Sequence, residues 1–145
     1  MQSDKIYTKA VIINAPVAKV WYTLTDPSCM KKWMHDDTIH ILTDWKVGSP
    51  MVIEGILHGL HFENKGTVLE FNTERSLQYS HLSSLSELPD ELQNYSVVAF
   101  DLIPTDHQTT LTLTLSNFPT ETIYKHLELY WNATLQVLKE LAEKH

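Results

Sequence analysis

At 145 residues, 43% of them hydrophobic and 20% charged, the chain has the makeup of a folded globular protein and is long enough to bury roughly two-thirds of its unfolded surface. Its formal charge is −7, from 18 acidic against 11 basic residues, and no basic cluster is larger than the pair Lys31-Lys32. Nucleic acid and anionic membranes are therefore poor partners, since both are held by concentrated positive charge. One cysteine, Cys29, rules out an intrachain disulfide, no apolar run has transmembrane length, and MQSDKIYTK at the N-terminus has no signal-peptide core. A single domain over residues 1–145 in a reducing cytoplasm is the expectation.

The run from Ile6 to Asn14 mixes β-branched residues with tyrosine and predicts a first strand, stopped by Asn14-Ala15-Pro16. Pro16 suits the first turn of a helix, where its missing N–H has no intrahelical partner, with Asn14 or Ala15 at the cap. Val17, Val20, Trp21 and Leu24 then follow at helical spacing. Thr25-Asp26-Pro27 breaks that helix, and Pro27 opens a second short one that runs through Met30 to Trp33, with Asp26 as its cap. Beyond Thr38 the periodicity changes. Ile39–Leu42, Met51–Leu57, Phe62–Phe71, Leu77–His81, Tyr95–Ile103 and Thr109–Ser116 are β-rich runs separated mostly by short turns, which favours antiparallel neighbours. The longer Ser83–Asn94 connection carries Glu87, Asp90 and Glu91 and reads as a solvated connector or a gate at a pocket mouth.

From Thr120 to Lys144 the spacing predicts the longest helix, with Ile123, Leu127, Tyr130, Trp131, Leu135, Leu138 and Ala142 on one face. About 25 residues would extend roughly 37 Å and need a large partner surface. The strands supply it. Leu111, Leu113 and Leu115 alternate with Thr110, Thr112 and Thr114, so the leucines should face the helix. Val98, Phe100 and Leu102 share one face of their strand, as do Leu77, Tyr79 and His81. Around Val68-Leu69-Glu70-Phe71 the alternation conflicts with itself, and either pair could be inside.

This order resembles the helix-grip fold of the START-like or SRPBCC superfamily. V-I-I-N-A-P-V-A-K-V-W-Y-T-L-T-D-P (Val11 to Pro27) with Trp33 is similar to the opening of the branch named after the activator of the heat-shock protein 90 ATPase. Gly48, Gly66-Thr67-Val68-Leu69-Glu70 and Leu77-Gln78-Tyr79 resemble its middle, and Tyr130-Trp131 with Leu135, Leu138 and Leu141 its end. The resemblance covers nearly the entire chain. It implies an α+β protein: a curved antiparallel seven-stranded sheet around a long C-terminal helix, with two short helices after strand one. The sequence departs from the branch in having Asn72-Thr73-Glu74 where a proline is common, and His81 where tryptophan is frequent. Members of the superfamily include lipid carriers, aromatic cyclases, antibiotic-sequestering proteins and a chaperone activator, so the resemblance specifies fold more than function.

The residues admit several readings. His58-Gly-Leu-His61, with His81 and Glu54 or Glu63, offers metal-ligand types, but a turn histidine pair lacks a spacing that fixes both rings on one ion, so no metal is expected. Cys29, near a helix N-terminus, could have a lowered pKa but has no identifiable histidine partner. No nucleotide fingerprint, GxSxG or paired carboxylate occurs, so no catalytic residue is assigned and no cofactor expected; a cyclase- or hydratase-like enzyme would have to use His81, Tyr79 or Glu70. The polar aromatics weigh more, because a core built only for stability tends to avoid buried groups that need partners. Trp33, Tyr79, His81, Tyr95 and Trp131 are therefore the expected binding residues for an apolar or aromatic small molecule between sheet and helix, with Tyr130 beside them. Contact with heat-shock protein 90 is the alternative that the resemblance implies. The chaperone activators carry a second domain for which this chain has no room, so weak or absent stimulation is expected.

Overall fold

Period-two alternation and turn chemistry produce seven strands, and the 3.6-residue stripe produces one long helix to cover them. The structure, a computed structural model, describes residues 5–34, 39–57 and 59–144. In chain order its elements are β1 (Tyr7–Ile13), α1 (Val17–Thr25), α2 (Pro27–Trp33), β2 (His40–Leu42), β3 (Pro50–Leu57), β4 (Leu60–Asn72), β5 (Ser76–Ser83), β6 (Ser96–Thr105), β7 (Gln108–Ser116) and α3 (Glu121–Glu143). The strands form one antiparallel sheet in the order β1-β7-β6-β5-β4-β3-β2. Each neighbour from β2 to β7 is also a sequence neighbour, and only β1 joins from a distance, by pairing with β7. This is the helix-grip architecture.

Local chemistry sets the helix ends. Asp26 caps α2 by accepting from the Cys29 N–H at 3.3 Å, and Pro27 occupies the first turn as its fixed φ allows. Pro16 differs from expectation: it is itself the cap residue of α1, in extended geometry and without a side-chain hydrogen bond. Thr120 caps α3 by accepting from the Ile123 N–H at 3.1 Å. The Ser83–Asn94 connection is less open than its composition implies, since Ser84–Ser86 and Leu92–Asn94 each make a turn of 3-10 helix.

The core lies between α3 and the concave face. Leu111, Leu113, Leu115, Leu135, Leu138 and Ala142 are all fully shielded and belong to one cluster with Val98, Phe100 and Leu77. The conflict in β4 is resolved by an irregularity. Its register against β5 shifts between Val68 and Glu70, so Val68 is buried, Leu69 is exposed and Phe71 returns to pack on the core. One extra residue inverts the phase, which lets both Val68 and Phe71 point inward.

Edge strand β1 is fastened along α3. Lys5 reaches Glu121 at 2.7 Å, the Tyr7 hydroxyl and Lys9 both donate to Asn132 Oδ1, and the Asn14 N–H donates to Glu143 Oε2 at 2.8 Å. The two elements run parallel. From residue 121 to 143 the helix rises about 33 Å, and from 5 to 14 a strand covers about 30 Å, so these fastenings stay in step from end to end.

Candidate functional site

Further from β1, where the sheet curves away, sheet and helix do not close on each other. A cavity of about 530 Å³ lies there, inside the range of small-molecule sites. Ile53 from β3, Phe62 and Asn64 from β4, Tyr79 and His81 from β5, and Ser96 and Val98 from β6 form its sheet wall. Thr122, Ile123, His126, Leu127, Tyr130 and Trp131 of α3 form the opposite wall. Met34, Ile39 and the β5–β6 connection, through Leu85, Ser86 and Asn94, complete the rim.

The lining changes character along the strands. On β5 the inward positions run Leu77, Tyr79, His81, and their partners on β6 run Phe100, Val98, Ser96. The first pair is sealed in the core, the second is apolar apart from one hydroxyl, and the third is polar. Asn64 extends the polar end, as the cross-strand partner of Ser83. On the helix Leu127 and Trp131 line the apolar part, and Thr122 and His126 the polar part. None of the described lining residues is Lys, Arg, Asp or Glu.

Burial keeps His81, Tyr79 and Tyr130 uncharged near neutral pH. Desolvation presses the pKa of His81 down to about 4, and the facing His126 adds to the effect, so the imidazole is neutral and presents one donor and one acceptor. Desolvation pushes the Tyr79 hydroxyl well above its ordinary value, with Tyr130 adding to it. Tyr130 is also raised by burial, against a hydrogen bond with Thr134 that lowers it. These three side chains thus present hydrogen-bonding groups without charge. Oδ1 of Asn64 is shut off from solvent and from the cavity alike and accepts no hydrogen bond.

Of the five residues expected from the sequence, Tyr79, His81 and Trp131 meet at the cavity, and Trp33 and Tyr95 do not line it. Trp33 is fully buried, donates Nε1–H to the Thr23 carbonyl at 2.8 Å and lies 5.9 Å from the Trp131 ring. It backs Trp131, which Phe100 and Tyr130 also hold at 5.6 and 5.3 Å with rings nearly perpendicular. Tyr95 donates its hydroxyl to Asp90, which also pairs with Lys65, while its carbonyl accepts from Asn117 at 2.7 Å. It thus secures the β5–β6 connection, and its neighbours Asn94 and Ser96 face the cavity instead.

Asn64, Ser96 and His126 were not anticipated, although a signal existed for each. Asn64 has the inward phase of Phe62 and Val68, Ser96 that of Val98 and Phe100, and Thr122, His126 and Tyr130 recur at four-residue steps. Among the metal-ligand types, His58 lies outside the described residues. His61 is exposed on β4 while His81 lines the cavity, and no group of three ligating side chains forms among the described residues. Cys29 does not take the lowered pKa that a place near a helix N-terminus could give: desolvation and the neighbouring Asp26 raise it, which leaves a thiol rather than a thiolate. Glu70 sits beside the register shift of β4 and does not line the cavity, so His81 and Tyr79 have no carboxylate partner there.

An open seven-stranded antiparallel sheet gripping a long C-terminal helix defines the START-like, or SRPBCC, class. Within it the chain belongs to the family of the Activator of Hsp90 ATPase homolog 1-like protein, whose model matches residues 14–143. A Cytophaga hutchinsonii protein known from its solution structure is 40% identical, with a TM-score of 0.80 over 96% of this chain and 94% of that one. A Chromobacterium violaceum protein aligns at 19% identity and a TM-score of 0.79 over 97% and 99% of the two chains. The Aha1 dimer from Colwellia psychrerythraea aligns at 20% identity and a TM-score of 0.72 over 96% of each chain. These last two show likeness of fold alone. No curated protein matches the chain significantly. No helix among the described residues is long and apolar enough to cross a membrane.

Proposed function

We propose that this protein binds an apolar or aromatic small molecule between the sheet and α3, with Tyr79, His81 and Trp131 in contact with it and Trp33 and Tyr95 supporting the walls. The observation that carries this reading is the uncharged cavity of about 530 Å³. A core filled only for stability would close such a space, because unfilled volume forfeits packing contacts. Trp131 offers a face for stacking, and His81 and Tyr79 offer a few oriented polar groups. The reading needs no metal or cofactor and assigns no catalytic residue. A cytoplasmic location accords with a single cysteine.

Native mass spectrometry of freshly purified protein, followed by thermal-shift screening of neutral aromatic and aliphatic compounds, tests it. A ligand selective for the native state raises the melting temperature, and one beside Trp131 quenches tryptophan fluorescence. No co-purifying molecule and no shift across a broad panel would defeat the proposal.

The family description favours a second reading, stimulation of a heat-shock protein 90 ATPase. An ATPase assay with the cognate chaperone decides it, and a several-fold, dose-dependent rate increase would put this reading first.

A further inference from the structure

The cavity has a deep end and a mouth. His126 and Thr122 are exposed and His81 is half-buried, whereas Tyr79, Val98, Leu127 and Trp131 are buried, so the histidines stand at the opening and Tyr79 lies behind them. Tyr79 is only 4% exposed, and its hydroxyl has no hydrogen-bond partner among the described residues. Among those residues Asn64 Oδ1 is the only buried side-chain polar atom that is both unpaired and sealed off, so the Tyr79 hydroxyl is unpaired but open. With the sheet beneath it and α3 above, what it opens to is the cavity. Tyr130, close by on α3, is already engaged with Thr134.

We infer that the cavity takes its ligand with a neutral oxygen leading, a carbonyl, ether or hydroxyl at the inner end of an apolar body, and that the Tyr79 hydroxyl donates to it. This inference rests on the reading of the cavity as a ligand site. A phenol is a better donor than acceptor, because its ring draws on the oxygen lone pair, and a buried tyrosine hydroxyl ordinarily has a partner. A ligand of the same shape with a methyl group at its inner end leaves that hydroxyl unpaired and closed off, which is costly. A carboxylate fares no better, since it would carry charge past the mouth to a place where no described lining residue is Lys or Arg. Tyr79 is thereby a specificity residue. It sorts ligands by the group that enters first, while the histidines at the mouth meet whatever trails behind.

The test titrates three probes by calorimetry: acetonaphthone, naphthol and methylnaphthalene, all substituted at the same ring carbon. Tyr79→Phe removes the hydroxyl and keeps the ring. It should weaken acetonaphthone and naphthol about three- to tenfold, the scale of one net hydrogen bond, and leave methylnaphthalene unchanged or tighter. In His81→Leu the affinities of the first two relative to methylnaphthalene should stay as in the wild type. An equal loss for all three probes in Tyr79→Phe, no loss for any, or a relative loss in His81→Leu instead would overturn the inference and leave the cavity reading intact. Should Tyr79→Phe fail to fold, nuclear Overhauser contacts in the wild-type complex with acetonaphthone decide. Contacts from the acetyl methyl to the Tyr79 ring support the inference, and contacts to His81 and His126 alone overturn it. No binding by any probe would overturn both.

Discussion

Gly66 is the residue with least freedom in the sheet. A Cβ at this position would lie 1.7 Å from the Ser80 carbonyl oxygen and 2.5 Å from its carbon, both backbone atoms that cannot rotate away. Ser80 also fixes this crossing by accepting from the Thr67 N–H at 2.9 Å. Gly66→Ala must therefore push β4 from β5 beside the cavity, and a loss of about 2 kcal/mol or more is expected, at the upper end for overpacking. A urea-denaturation midpoint equal to that of the wild type would contradict this. His81 has a cost that depends on pH. Its pKa in the fold is about 4 against an ordinary 6.5, so between these values the unfolded chain takes up a proton that the native state refuses. Stability should fall as pH drops from about 7 to 4 and gain no further penalty from this group below that. The ceiling is about 3 kcal/mol, reduced because His81 is only half-buried. His81→Phe should flatten melting temperature against pH in that window, and an unchanged slope would show that the imidazole is solvated.

At the level of elements, α3 closes the core. Leu138 is fully buried in the cluster that holds the β7 leucines, so Leu138→Ala should cost about 2–5 kcal/mol by chemical denaturation. An unchanged midpoint would make the helix peripheral. The β5–β6 connection should behave differently. Lys65, Asp90 and Tyr95 secure it through solvent-screened groups, which contribute little to global stability. Tyr95→Phe is expected to speed amide exchange across residues 84–94 with little change in the global midpoint. The same contrast explains what could be read beforehand. The β7 leucines and the α3 stripe repeat over many residues, and repetition is what a linear pattern can carry. Tyr95 belongs to no such pattern, since its direction depends on Asp90 and Asn117, which only the folded chain brings near. The β4 register shift shows locally only as the broken alternation at Val68 to Phe71, and which of those residues turn inward is decided by pairing with β5. His81 and Tyr79 were found because they share the phase of Leu77, whereas Asn64 was passed over because a polar residue on a strand is ordinarily read as facing water.

For the whole molecule, charge and cavity are segregated. The net charge of −7 resides outside a cavity whose described lining has no acidic or basic side chain apart from histidine. Binding of a neutral aromatic probe should therefore be nearly independent of ionic strength, while a naphthoate should bind more weakly than naphthol, gaining only modestly as salt screens the surrounding field. A steep loss of neutral-probe affinity with salt would point to a charged group at the site.

The fastening of α3 along β1 has a mechanical consequence. Glu121, Asn132 and Glu143 tie the helix at its start, middle and end to one strand, while α1 and α2 pack against it as well. The helix is thus a fixed post, and β1 with β7 is the part of the sheet bolted to it. The cavity lies on the side away from the bolts, where β3 and β4 reach out with only the three-residue β2 beyond them. A guest too bulky for 530 Å³ should therefore displace that flank like a door and leave the post in place, and amide exchange on binding such a guest should change in β3 and β4 and not in β1 and β7.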